Sequence, residues 1–189
     1  MMQLMLTEKM SRKLKVCFSN SPKNIAHATY RDLGFVATPE GCFDVYSAGG
    51  LGNNARFGVK VAEHVEPEKI LYYIKAMWLT FRAYGNYENR GKARTRYMQE
   101  ALGGPEAYAK AYQEKLQDVF DSGEDLDLQV SESKIVKQDD GSRVSGRRIL
   151  PQKQHGLYTA IWHPIGGQPK PEDLCRLQDG IAELEAVEL

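Results

Sequence analysis

Cysteine is scarce: the 189-residue chain holds three, Cys17, Cys42 and Cys175, odd in number, far apart and without a CxxC pair. That spacing excludes a disulfide framework and a zinc site built on paired thiols, and leaves three reduced, mostly buried thiols as the expectation. An excess of charge of one sign is missing too. Lys and Arg total 25 and Asp and Glu total 25, so no global field draws the chain to nucleic acid or to a membrane, and any electrostatic function must be local. Long apolar runs are absent. The opening MMQLMLT is interrupted by Glu8 and Lys9, well short of a signal-peptide core or a membrane span, so a soluble protein of the cytoplasm is expected. The sequence also lacks a solenoid-length repeat, a low-complexity tract, a GxxxxGK(S/T) phosphate loop and a GxGxxG fingerprint.

What remains is an ordinary globular composition, 42% hydrophobic and 26% charged, enough for one domain or one domain plus a fragment. Residues 13–20 alternate, with Leu14, Val16 and Phe18 on one face and Lys13, Lys15 and Cys17 on the other, which predicts a strand with both lysines pointing the same way. A turn at 21–24, a short helix over 25–33 stopped by Gly34, and strands over 35–38 and 43–47 follow, the last running into a loop with Gly49, Gly50 and Gly52. The clearest helix covers 66–84, with Pro67 at its start, Gly85 at its end, and Ile70, Leu71, Ile74, Met77, Trp78 and Phe81 at helical spacing. Further helices are expected over 92–102 and 105–120, the latter burying Tyr108, Tyr112, Leu116, Val119 and Phe120. From residue 121 the chain turns acidic and polar. A hairpin about 139–141, a strand over 156–165 and an amphipathic helix over 171–187 with Leu174, Leu177, Ile181 and Leu184 complete the reading.

Three features carry possible chemistry, and each alone also has a plainer reading. Lys13 and Lys15 repel each other unless solvated or given an anion, which they could hold and protonate; they equally suit a solvated strand edge. The glycine loop could bring backbone amides close to a charged ligand, or simply make a tight turn. In 87–97 (YENRGKARTRY), a helix would place Arg90 and Arg94 one turn apart and Lys92 and Arg96 another turn apart, with Glu88 the only nearby counter-charge. Such a cluster suits a small polycarboxylate, since guanidinium forks match carboxylates, but a solvated face reads the same way.

Taken together and in this order, the stretches 11–19 (SRKLKVCFS), 43–52 (FDVYSAGGLG) and 87–97 resemble the siroheme-carrying middle of the sulfite and nitrite reductases. The resemblance spans roughly residues 9–120, with a looser match over about 145–185 that includes PQKQHGLY (151–158). It implies an α+β fold, a mixed sheet covered by helices, over 9–121. A polar linker and hairpin over 122–145 and the start of a second, incomplete ferredoxin-like half-domain over 146–189 would follow.

By the same resemblance, Lys13 and Lys15 match the basic positions that hold and protonate the substrate anion, and Arg94 matches one facing a siroheme carboxylate. Gly49, Gly50 and Gly52 match the loop beside the macrocycle, with Ala48 in place of the first glycine of the usual run, and Arg90 and Lys92 fall in the cofactor motif. The family reduces sulfite to sulfide or nitrite to ammonia by six electrons, using siroheme and a 4Fe-4S cluster. A substrate of sulfite or nitrite, an electron donor such as ferredoxin, and a complementary reductase chain are the implied partners.

Two further departures stand beside Ala48. The family's cluster is held by a CxxxxxC pair and a downstream CxxxC pair, and neither spacing occurs; Ser11 replaces the usual proline. The expectation is a truncated or split reductase starting at an internal methionine and incomplete on its own. The alternative is a non-catalytic module that binds a tetrapyrrole or docks on a reductase subunit.

Overall fold

The computed structural model describes residues 13–130, 139, 141, 143–164 and 166–182, in two compact units, one up to residue 131 and one from residue 132. The first is built on a four-stranded sheet with strands in chain order: β1 (Val16–Ser19), β2 (Leu33–Ala37), β3 (Phe43–Ser47) and β4 (Val59–Val65). β1 runs parallel to β2, placing Phe18 opposite Phe35, while the remaining pairs are antiparallel. The mixed sheet and its helices are the α+β architecture expected of the sequence.

Among the described residues three α-helices belong to this unit: α1 (Ile70–Tyr84), α2 (Tyr97–Ala101) and α3 (Pro105–Asp121). A single 3-10 turn, Pro67–Lys69, leads into α1, where proline's missing N–H removes no helical bond, and Gly85 follows its end. Ile70, Ile74, Met77 and Phe81 recur on one face of α1 and are buried; Tyr108, Tyr112, Leu116 and Val119 do the same on α3. They meet Leu33, Phe35 and Val45 of the sheet in one core, where each large apolar side chain contributes about 1.5–3 kcal/mol over leaving it in water. The polar ends are satisfied: the Tyr108 hydroxyl lies 2.7 Å from Ser47 Oγ, and Tyr112 donates to the Tyr73 carbonyl at 2.8 Å. Beyond α3 the chain doubles back, the Leu128 N–H donating to the Glu68 carbonyl at 2.9 Å.

Several expectations change. The helix over 25–33 is a single 3-10 turn, Ala28–Tyr30, and Leu33 and Gly34 belong to β2. Asn24 is responsible in part: its side chain accepts the Ala28 N–H at 2.7 Å, and Asn24 and His27 hold φ of 49° and 52°, so the chain turns instead of coiling. The helix over 92–102 begins only at Tyr97. β4 was not foreseen, although Val59, Val61 and Val65 pack inward along it.

In the second unit, β5 (Ile149–Pro151) and β6 (Tyr158–Ala160) form an antiparallel hairpin, and α4 spans Pro171–Ala182. The strand over 156–165 is thus only three residues long. The run before the 139–141 turn and the end of the last helix, with Leu184, lie outside the described residues. No helix among the described residues is long and apolar enough to cross a membrane.

Candidate functional site

Residues 13–15 lead into β1 with Lys13 and Lys15 exposed on either side of half-buried Leu14. The Lys15 backbone is tied down at both ends: its N–H donates to Asp32 Oδ2 at 2.9 Å, and its carbonyl accepts the Leu33 N–H at 3.2 Å. Among the described residues neither ammonium group has a hydrogen bond or ion pair. Two cations one residue apart, with no ion-pair partner among the described residues, leave a local positive field open to an anion.

The glycine loop leaves β3 through Ala48, fully buried with φ of 60°. That left-handed geometry is the one glycine adopts freely and alanine only at a cost of roughly 1–2 kcal/mol, which explains why the resemblance leads one to expect glycine here. Gly49 answers a different need: a Cβ there would lie 2.7 Å from the Thr29 carbonyl oxygen and 2.8 Å from the Gly58 nitrogen. The Gly49 N–H donates to the Arg31 carbonyl at 2.9 Å, and Gly50 exchanges both backbone bonds with Arg56 at 3.0 Å. Those two amides are therefore engaged within the protein, and the loop meets solvent at exposed Leu51 and Gly52.

Residues 86–96 are turns, and the side chains of the asparagines dictate it. The Asn86 carboxamide accepts the Asn89 N–H at 2.8 Å and the Asn89 carboxamide accepts the Gly91 N–H at 2.9 Å, offering the backbone partners that a helix would otherwise supply. The predicted helical pairing of Arg90 with Arg94 and Lys92 with Arg96 is therefore not made. Instead Arg90 and Lys92 are exposed and Arg94 half-buried, whereas Ala93, Thr95 and Arg96 are buried.

Arg96 is a strut. Its Nε and Nη2 donate to the Asn53 carbonyl at 2.9 and 2.7 Å, its stem lies against Gly50, and its guanidinium sits 5.0 Å from the Tyr97 ring centre. Gln99 reaches the same loop, donating to the Ala48 and Phe57 carbonyls, each at 2.8 Å. Arg94 is less satisfied: Nη2 lies 4.0 Å from Asp32 Oδ2, and its buried Nε has no hydrogen-bond partner.

Asp32 and Gln99 were missed by sequence reasoning, and Arg96, read there as one charge of the basic cluster, holds the glycine loop instead. Asp32 is 4% exposed, takes the Thr95 hydroxyl on Oδ1 and the Lys15 N–H on Oδ2, and lends its carbonyl to the Ala48 N–H at 2.8 Å. The structure thus brings the Lys15 backbone, the start of the glycine loop and Arg94 together at Asp32, the loop through its backbone carbonyl and the other two through its carboxylate. The same carboxylate's charge adds to burial in pushing the nearby Tyr108 hydroxyl far above its ordinary pKa.

The donor set can be tested against two cofactors. A tetrapyrrole bearing carboxylates fits: Arg94 Nε is a buried donor lacking an acceptor, and Lys13 and Lys15 carry unneutralised charge. A 4Fe-4S cluster does not, because three cysteines cannot supply four thiolates and no group of three or more His, Cys, Asp or Glu gathers among the described residues.

The family model for the nitrite and sulphite reductase 4Fe-4S domain matches residues 3–120, more than half of the chain. The protein belongs to that family. Its fold is similar to the solved structure of the Mycobacterium tuberculosis NirA protein, with a TM-score of 0.63 and 23% sequence identity. That similarity covers 94% of this chain but 31% of the NirA chain, so the protein spans under a third of that relative's length. An iron–sulfur cluster is implied for the family, and the residues of this chain do not hold one alone.

Proposed function

We propose that this chain forms the substrate-facing edge of a siroheme-dependent reductase that converts sulfite to sulfide or nitrite to ammonia. The observation that carries the reading is Arg94, only half-satisfied by the Asp32 carboxylate, whose Oδ2 also accepts the backbone N–H of Lys15 in the segment that exposes the Lys13 and Lys15 side chains. In this reading Lys13 and Lys15 hold the anion by charge and deliver protons to its oxygens. Either reduction consumes at least one proton for every electron, so a pair of ammonium groups beside the anion serves both tasks. Arg94, with Arg90 and Lys92, binds the carboxylates of the tetrapyrrole, and the loop at Gly49, Gly50 and Gly52 packs beside it. Siroheme, when bound, supplies the iron through which electrons reach the anion.

No step is assigned to a cluster within this chain. Electrons from a donor such as ferredoxin need ligands from elsewhere, a complementary reductase chain being the simplest source. The working unit is then residues 9–121, with 122–145 as a polar linker and hairpin and 146–189 as the start of a ferredoxin-like half-domain, in a cytoplasmic setting. The count of three cysteines favours a second reading, a non-catalytic module that binds the tetrapyrrole or docks on a reductase subunit.

The test is an absorbance titration of the folded chain with siroheme against a Lys13→Ala, Lys15→Ala, Arg94→Ala triple variant. Saturable binding that weakens about tenfold or more in the variant supports the site, since each lost charge-assisted contact is worth about 1.5–3 kcal/mol. No binding by the well-folded chain sinks both readings as they concern siroheme.

A further inference from the structure

The three motifs legible in the sequence have no residue in common, yet in the folded protein one residue, Asp32, meets all of them, two through its carboxylate and the glycine loop through its backbone carbonyl. The Asp32 carboxylate accepts the Lys15 N–H at 2.9 Å and the Thr95 hydroxyl, and faces Arg94 Nη2 at 4.0 Å. The carbonyls of Arg31 and Asp32 take the Gly49 and Ala48 N–H groups at 2.9 and 2.8 Å, so the same two residues also anchor the start of the glycine loop. A carboxylate that is 4% exposed is costly to desolvate and is retained only where donors and a cation compensate it.

If the fold needed only an acceptor for Thr95 and Lys15, a neutral amide oxygen could serve. What an amide cannot do is hold a guanidinium by charge. At 4.0 Å, and with Nε unpartnered, the pairing with Arg94 is loose enough to aim the guanidinium without saturating it.

We propose that Asp32 is a positioning residue whose charge sets Arg94 and the Lys13–Lys15 segment in one fixed arrangement for an incoming polycarboxylate. The ligand part rests on the reading above; the coupling of the two segments through Asp32 does not.

Two measurements separate them. The first is ligand-free: hydrogen exchange of the Lys15 amide, with β2–β3 ladder amides as controls. Asp32→Asn, and independently Thr95→Val, should each speed Lys15 exchange about tenfold or more, the equivalent of one charge-assisted hydrogen bond, while the control amides hold. Thr95→Val on top of Asp32→Asn should add less than about twofold. Unchanged Lys15 exchange in Thr95→Val overturns the coupling, and that arm stands even if Asp32→Asn fails to fold.

The second measurement is siroheme affinity in a double-mutant cycle. Asp32→Asn should weaken binding about tenfold in the parent and less than about twofold in an Arg94→Ala background. Equal loss in both backgrounds means Asp32 acts only through general stability and overturns the positioning role. A parent chain that binds no siroheme, with the exchange result intact, refutes the functional reading while keeping the coupling.

Discussion

Arg96 shows how misleading a run of basic residues can be when read one charge at a time. It stands two residues from Arg94 and shares its chemistry, but it is 7% exposed and both its Nε and Nη2 are taken up by one carbonyl, Asn53, at the base of the glycine loop. Its task is to hold that loop. Arg96→Ala removes a charge-assisted fork and leaves the carbonyl without its partner, so the urea midpoint should fall by the equivalent of about 2 kcal/mol at unchanged m-value. Arg96→Lys should recover less than half of that, because a point ammonium cannot reproduce two donors set in a plane. Full recovery by lysine would show that only charge matters there. Siroheme affinity should change less in Arg96→Lys than in Arg94→Ala, since of these two arginines it is Arg94 that has a buried nitrogen without a partner.

On α3 the two buried tyrosines, Tyr108 and Tyr112, lie four residues apart and make the protein's stability sensitive to alkali. Burial pushes both hydroxyls above their ordinary pKa near 10, and the Tyr112 hydroxyl is also bound to the Tyr73 carbonyl as a donor. The folded state therefore keeps protons that the unfolded chain releases above pH 10. Their contribution is complete below pH 10 and is lost as pH rises, each tyrosine steepening the fall by about 1.4 kcal/mol per pH unit. Chemical denaturation at pH 9, 10 and 11 should show this slope, and Tyr112→Phe should lose about half of it; an unchanged slope would mean the hydroxyls reach solvent. α1 and α3 were legible because their apolar faces recur at helical spacing over four turns or more; α3 begins at a proline, and a proline opens the 3-10 turn that leads into α1. Segments shaped by asparagine side chains were not: the 25–33 and 92–96 stretches have helix-compatible composition, and only the folded chain shows Asn24 taking the Ala28 N–H and Asn86 and Asn89 taking the N–H groups of Asn89 and Gly91 just before position 92. Asp32 stayed hidden for a related reason. A lone aspartate before a strand carries no spacing signal, and its partners at positions 15 and 95 are distant in sequence.

For the molecule as a whole, family membership and donor inventory pull apart. The family is that of a 4Fe-4S domain, and the fold over 94% of the chain is similar to that of NirA. A cubane cluster needs four thiolates converging within a few ångströms. This chain has three thiols: Cys17 on β1 is directed at the Ala26 carbonyl at 3.6 Å, Cys42 precedes β3, and Cys175 lies in the second unit. Cys17 and Cys42 are half-buried, so they act as small apolar groups with a weak S–H donor. Anaerobic reconstitution with iron and sulfide, followed by gel filtration, should therefore leave no stoichiometric cluster, read as iron content and as absorbance near 400 nm. Siroheme binding should survive the same treatment unchanged, because the residues assigned to it are cations and backbone rather than thiols. A chain that retains four irons after gel filtration would overturn this separation and would require thiols from a second copy. Retention of siroheme without a cluster would mean that this chain keeps the anion-facing half of the chemistry and must borrow the electron-delivering half.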